Sequence, residues 1–339
     1  LTPLYGIVVD QLIGVEASVS EAMRPAMVVM IPWAALVGWR RFLHGIMIRF
    51  GETKPVGLGT SVRVVTVFVV GFAVFLTGKY SGVVTASIAL LLSVLAETVF
   101  IHFVSRKVIR DHLLPTKDEP VKEEITLKRL AAFHFPLTAA TMAMILGMPL
   151  VNWALAKSPD STLMLAAWGT AMGVIFLART VTFAIPEAVI ALYKGPQSLA
   201  ALSKFSVIVG LVCFAAVVVA WATGASHWLF LTVLDSTPEV AQAANMMLIG
   251  SALLPILNAM SSLKRGVLTA HHLTSARLVA IIVAMSTLFG LLWLGVSAQW
   301  NGILTIVIAV TVQHIAEFAV LEIYWRTKGA QARPLDANA

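Results

Sequence analysis

One arginine lies deep inside an apolar stretch of the chain. Arg179 sits near the middle of residues 161–193, a predominantly hydrophobic segment. A guanidinium at the centre of a bilayer costs about 2.5–3.5 kcal/mol on insertion scales, and it usually faces a partner or a water-filled cavity. We therefore expect Arg179 to be either an anion-attracting group on the wall of a cleft or half of a structural ion pair with a carboxylate on another helix.

Two glutamates and a histidine are further titratable groups in apolar segments. Glu97 and Glu317 precede Arg106 and Arg326 by the same interval. They are either protonatable carboxylates of a transport site or, as we favour because both copies keep the residue, members of a shared packing arrangement. His314 lies one turn before Glu317, so the two share a helical face and could relay protons near neutral pH. A single hydrogen-bonded histidine is the alternative.

Three other residues in apolar segments are candidates for binding or movement. Asn152 and Asn258 could contact a substrate or ion, although interhelix hydrogen bonding accounts for most such residues. Pro186 removes a helix hydrogen bond and frees the carbonyl of Thr182, which predicts a kink. Such a kink makes Pro186 a candidate hinge.

The composition requires helices that cross a membrane. Hydrophobic residues make up 59% of the 339 residues and charged residues 12%, whereas soluble proteins average about 25% charged residues. The apolar runs reach the roughly 20 residues that a helix needs to cross about 30 Å of hydrocarbon. We predict an all-α polytopic membrane protein with nine spans, at residues 19–49, 56–78, 81–104, 131–156, 161–193, 203–223, 241–264, 275–297 and 302–325.

The positive charges indicate how the spans are oriented. If the 111–129 loop is cytoplasmic, most of the 24 lysines and arginines fall at cytoplasmic ends, as the positive-inside rule predicts. The C-terminus is then cytoplasmic, and the net charge of +7 reflects insertion rather than nucleic-acid binding. We expect a basic ring at the cytoplasmic mouth, which topology alone could explain or which could gather anionic substrates or lipid headgroups: Arg40, Arg41, Lys264 and Arg265.

Two segments of the chain are repeated. Residues 82–107 and 302–327 match at an offset of 220, with Glu97 over Glu317, and residues 18–47 match 239–268 at an offset of 221. A repeat of this length predicts two homologous halves in the same membrane orientation. Spans 131–223 have no upstream partners, so we predict twelve helices of which the first three are missing. The predicted domains are residues 1–110 (helices four to six), a 111–129 linker, 130–328 (helices seven to twelve) and a disordered 329–339 tail.

Several segments resemble one transporter superfamily. TPLYGIVVDQLIG, AMRPAMVVMIPW and WRRFLHGIMIRFGETKPVGLGTSVRVVT, with ALYKGPQSLAAL and LKRGVLTAHHLTSARLV, are similar to the multidrug/oligosaccharidyl-lipid/polysaccharide (MOP) exporter superfamily, in its MATE-like or progressive-ankylosis-like branch. The resemblance implies two helix bundles around a central cleft that opens alternately to either side. Many drug exporters of this kind carry the cation-binding acid in the missing helices, so no residue here inherits that role.

These observations predict a secondary active transporter. We expect an exporter of an organic or anionic solute, located in a bacterial inner membrane, with H⁺ or Na⁺ as the coupling ion. The alternative is a flippase for a lipid-linked oligosaccharide or anionic headgroup. An enzyme is disfavoured because all outer loops are short. Cys213 is the only cysteine, which excludes internal disulfides and thiolate-rich metal sites, and we expect no metal or cofactor.

Overall fold

The structure divides into two units. The computed structural model of the protein describes residues 5–7, 17–113 and 126–329. Contacts group the chain into units of residues 1–122 and 123–339, and this division falls inside the predicted 111–129 linker. Residues 114–125 of that linker and residues 330–339 of the predicted tail lie outside the described residues.

The described part of the first unit is built from four helices. The predicted span at 81–104 extends further than expected, because the helix continues to His112 before the described residues end. The apolar contacts of this unit centre on Leu43, Met47 and Ile101. The helices are α1 (Ala17–Val29), α2 (Trp33–Arg49), α3 (Lys54–Leu76) and α4 (Gly82–His112).

The second unit contains the larger core. Trp168, Phe230 and Leu254 are among its fully buried side chains, and they hold the helices that surround the site described below. Its helices are α5 (Leu127–Ile145), α6 (Gly147–Ala156), α7 (Ser161–Arg179), α8 (Ile185–Leu192), α9 (Pro196–Ala222), α10 (Ala225–Trp228), α11 (Pro238–Gly250), α12 (Leu254–Ala270), α13 (Thr274–Ser297) and α14 (Gly302–Tyr324).

The helices confirm the predicted membrane spans. Within the described ranges, seven helical stretches are long and apolar enough to cross a membrane, or up to nine if each of two bent helix pairs counts as one span. The chain is therefore an all-α polytopic membrane protein. The first bent pair, α1 and α2, corresponds to the predicted span 19–49. The second, α11 and α12, corresponds to the predicted span 241–264.

The two bent pairs occupy matching places in the repeat. Adding 221 to the bounds of α1 and α2 gives the bounds of α11 and α12. The bend is 44° in the first pair and 43° in the second. The repeated sequence therefore encodes a repeated break in the helix.

The break has the same backbone chemistry in both copies, although the prolines are not equivalent. A proline has no N–H to donate to the carbonyl four residues earlier. In the first copy Ile31 N–H donates to the Val28 carbonyl (3.2 Å), the one that Pro32 leaves free. In the second copy Leu254 N–H donates to the Ser251 carbonyl at 3.0 Å, and this is likewise the carbonyl that the following proline, Pro255, leaves free. These shorter-range bonds tighten the chain locally and turn it.

Candidate functional site

Five polar residues meet in a cavity of the second unit. The cavity has a volume of about 160 Å³ and is bounded by α5, α6, α7, α12, α13 and α14. It is the place where the predicted residues of the second unit converge, because Arg179, His314 and Glu317 all line it. The polar lining consists of Arg179, Arg265, Gln313, His314 and Glu317.

A ring of hydrogen bonds fixes Arg179 at the end of α7. The Arg179 guanidinium donates from Nη2 to Asn258 Oδ1 at 3.2 Å. The Asn258 amide donates to Thr182 Oγ1, and that hydroxyl donates to the Arg179 carbonyl at 2.6 Å. Asn258 and Thr182 are fully buried, so the ring closes where water does not compete. The predicted interhelix role of Asn258 is therefore present, and it positions the arginine.

The helix is interrupted between Arg179 and Pro186, near the predicted kink. After α7 the chain forms a short 3₁₀ helix, Thr180–Ala184, and Pro186 is the second residue of α8. Pro186 cannot bond the Thr182 carbonyl, and the tighter 3₁₀ pattern is a common result of such a loss. The break places Thr182 where its hydroxyl reaches Arg179. Movement about Pro186 stays a prediction.

Replacing Thr182 with valine is expected to weaken this turn. Valine keeps the shape but removes the acceptor of Asn258 and the donor to the Arg179 carbonyl, and a buried unsatisfied group costs about 1–2 kcal/mol. We expect that loss in the unfolding free energy of the purified protein in detergent. Thr180→Val is the matched control, because the exposed Thr180 hydroxyl donates, among the described residues, only to the Phe176 carbonyl one turn earlier. Equal losses in the two variants would contradict the ring.

In the described part of the chain His314 makes its hydrogen-bond contacts with Val310 and Arg179 and not with Glu317, and the predicted proton relay stays a prediction. Its Nδ1 lies 2.9 Å from the Val310 carbonyl, which can only accept, so Nδ1 carries the hydrogen. Its Nε2 lies 3.4 Å from Arg179 Nη2, a group that can only donate, so Nε2 accepts. The two contacts together describe a neutral imidazole whose tautomer is set by its neighbours.

Glu317 pairs instead with Arg265. The Arg265 guanidinium donates to Glu317 Oε1 from Nε at 2.7 Å and also from Nη2. Glu317 is buried and the Arg265 side chain is 12% exposed. Arg265 also lines the cavity, and its predicted place at a cytoplasmic mouth stays a prediction. The opposite charge of Glu317 offsets the desolvation of the arginine.

The equivalent glutamate of the first unit is held in a similar way. Arg40 donates to Glu97 Oε2, Arg63 Nε lies 3.6 Å from the same oxygen, and His44 Nε2 lies 3.8 Å from Oε1. Arg40 is only 7% exposed, so it too is a buried ion-pair partner. Glu97 belongs to the first unit and does not line the cavity.

The remaining predicted residues lie outside the cavity lining. Asn152 is exposed on α6, so the structure does not bring it to Arg179. Lys264 pairs with Glu322 at 2.6 Å, and Arg41 is exposed on α2. The second unit therefore brings together five of the predicted residues, namely Arg179, Asn258, Arg265, His314 and Glu317.

Sequence reasoning missed the apolar half of the cavity. Four methionines, Met144, Met148, Met172 and Met285, line it together with Trp168. A methionine in an apolar segment carries no signal that separates a cavity wall from ordinary core. Thr182 could have been found, because a hydroxyl three residues after Arg179 can reach its carbonyl in a helical turn.

Several solved structures of similar shape are transporters. A multidrug resistance MATE family transporter of the MOP superfamily in an outward-facing conformation aligns with TM-score 0.73 and 16% identity, over 98% of this chain and 75% of that chain. A MOP superfamily transporter from Pyrococcus furiosus aligns with TM-score 0.76 and 16% identity, over 97% and 74%. The Vibrio cholerae MATE transporter VcmN in the bent form gives 0.70 and 17%, over 97% and 76%.

Sequence comparison adds nothing to this, since no protein-family model matches the chain and no curated protein matches it. The fold and the cavity define a polytopic helical membrane protein with charged groups among its apolar helices. More narrowly, the chain has the fold of MATE transporters of the MOP superfamily. The predicted resemblance is confirmed for the fold.

Proposed function

We propose that this protein is a secondary active transporter that exports an organic or anionic solute. The observation that carries the proposal is the charged cavity of the second unit, in which Arg179, Arg265 and Glu317 line a space walled by membrane-spanning helices. Ionisable groups at such depth are costly and usually mark the path of a substrate or ion. The MATE fold supports the same function.

The transport cycle that we propose is alternating access between two homologous helix bundles. The repeat supports it, because the bent pairs and the two glutamates recur at matching positions. Pro186 is the proposed hinge, since the span is already interrupted beside it. The coupling ion is H⁺ or Na⁺, and Glu317 is the carboxylate of the cavity that we would test first.

The substrate class is open within this fold. The Pyrococcus furiosus transporter is described as having a binding pocket of reverse polarity that suggests a different function. Pocket charge therefore differs among proteins of this shape, and the cavity of each must be considered by itself. We place this protein in a bacterial inner membrane with a cytoplasmic C-terminus, following the distribution of its lysines and arginines.

The test is flux in sealed vesicles. The full-length protein is reconstituted into liposomes with an imposed proton or sodium gradient, and uptake or release of labelled organic anions and cations is followed. We expect gradient-dependent flux, and we expect Arg179→Gln to lower its initial rate by about tenfold or more, because a charge-assisted contact is worth roughly 1.5–3 kcal/mol.

Lys204→Gln is the matched control, because it removes an exposed positive charge that lies outside the cavity lining. Unchanged flux in Arg179→Gln would contradict the assignment of the cavity as the substrate site. Movement of a fluorescent lipid-linked sugar without any gradient would contradict secondary transport and favour a flippase.

A further inference from the structure

The charges that line the cavity do not cancel. Arg265 is neutralised by Glu317, to which it donates twice. Arg179 contacts only the neutral side chains of Asn258 and His314 among polar partners. Across residues 5–7, 17–113 and 126–329, no carboxylate oxygen lies within ion-pairing distance of Arg179. With His314 neutral, the cavity carries a net charge of one positive unit.

Arg179 also has an unused donor. Its Nε is buried and has no hydrogen-bond partner among the described atoms, while Nη2 contacts both Asn258 and His314. A guanidinium stays charged and forms charge-assisted hydrogen bonds with carboxylates. Because the Arg179 side chain lines the cavity and has no carboxylate partner among the described residues, an anionic group in the cavity would gain a charge-assisted contact with it.

The rest of the cavity is apolar and adaptable. Met144, Met148, Met172 and Met285 line it beside Trp168. Methionine side chains are flexible and make favourable contacts with aromatic rings. The volume of about 160 Å³ suits a single small ring, since an apolar cavity of about 150 Å³ is known to accept benzene.

We propose that this cavity binds a small aromatic monocarboxylate. The carboxylate pairs with Arg179, and the ring lies among the methionines. This inference rests on the proposed function and names its substrate class. One negative charge balances the single uncompensated guanidinium, whereas a cation would meet repulsion from it, and a neutral ring would leave it unpaired.

The first experiment compares three ligands of nearly equal size. Purified full-length protein in nanodiscs is incubated with radiolabelled benzoate, and unlabelled benzoate, benzyl alcohol and benzylamine compete for it. We expect saturable binding of one benzoate per chain. Benzyl alcohol should compete about tenfold or more weakly, because it lacks the charged contact, and benzylamine should compete least. Equal competition by all three, or preference for benzylamine, overturns the proposal.

The second experiment changes the cavity charge in both directions. Asn258→Asp places a carboxylate against Arg179 without changing the side-chain shape, so benzoate affinity should fall by about tenfold or more. Glu317→Gln removes the only negative charge of the lining and frees Arg265, so benzoate affinity should rise. Lys204→Gln and Glu239→Gln make the matching charge changes at exposed positions and should leave benzoate affinity unchanged.

The outcomes separate this inference from the proposed function. Benzoate binding with this charge dependence, but without gradient-driven flux in liposomes, would sustain the site and overturn the transporter. Gradient-driven flux of another solute without benzoate binding would do the reverse. If chloride displaced benzoate at low concentration, the site would belong to an inorganic ion, and the aromatic part of the proposal would be wrong. The ligand comparison on the unaltered protein keeps the test decisive even if a variant fails to fold.

Discussion

Replacing Glu97 with leucine is expected to lower the free energy of unfolding by about 3–5 kcal/mol, the usual effect of removing one partner of a buried ion pair. Arg40 would remain buried without its carboxylate, and Arg63 and His44 would lose the same partner. An arginine cannot lose its charge in a protein, so the first unit would keep a buried, unpaired positive charge and would be destabilised by it.

The measurement is thermal or SDS-induced unfolding of the protein in detergent micelles. Glu21→Leu is the control, since it makes the same substitution at an exposed position of α1. The double variant Glu97→Leu with Arg40→Met should recover part of the loss, because an apolar pair of similar volume often replaces a buried ion pair without penalty. A Glu97→Leu protein within about 1 kcal/mol of the parent would show that this pair is unimportant.

Gly266→Ala is expected to destabilise the second unit by about 2–3 kcal/mol, which is typical of overpacking in a tight contact. A Cβ on Gly266 would lie 2.7 Å from Val189 Cβ and 3.0 Å from the Pro186 carbonyl oxygen. The second contact is with backbone, so a rotamer change cannot relieve it. The packing of α12 on α8 would have to open next to the proposed hinge.

The repeat supplies the control for this substitution. Gly45 matches Gly266 in the first copy, and a Cβ there would meet nothing within 4 Å. Gly45→Ala should therefore be neutral, or stabilising by about 0.5–1 kcal/mol through helix propensity. The measurement is the unfolding free energy of the two variants in detergent, which separates an effect of packing from an effect of helix propensity. Equal changes in the two variants would contradict a specific contact between α12 and α8.

The spans were predictable because their signal is local. A run of apolar residues long enough to cross a bilayer is visible without any knowledge of its neighbours. The depth of Arg179 and Glu317 follows from the same runs, which is why both were selected as candidates. The bend between α1 and α2 was not predicted, since residues 19–49 are apolar on both sides of it.

The partners were not predictable because an apolar run does not say which way a side chain faces. Asn152 and Asn258 look alike in sequence, yet Asn152 is exposed and Asn258 is buried against Thr182. His314 and Glu317 share a helical face, but Arg265 and Arg179 approach that face from two other helices. Only the packing of α7 and α12 on α14 decides between these pairings.

The two glutamates, Glu97 and Glu317, occupy matching positions in the repeat. Both are buried ion-pair partners, so the shared structural arrangement favoured from the sequence agrees with the contacts. Their main cations are not equivalent, however, because Arg265 corresponds in the repeat to His44 and not to Arg40. The carboxylate position is the same in both copies, while the residue that neutralises it differs.

The paired breaks near Pro32 and Pro255 bear on how this chain can change over time. The two bends have nearly the same angle although the two prolines lie two positions apart in the repeat. The position of the proline alone therefore does not determine the bend. Mutations accumulated in evolution can move or remove such a proline while the surrounding contacts preserve the bend between the two helices. An alignment of distant relatives should therefore match the helix bends themselves and should not require the prolines to occupy the same column.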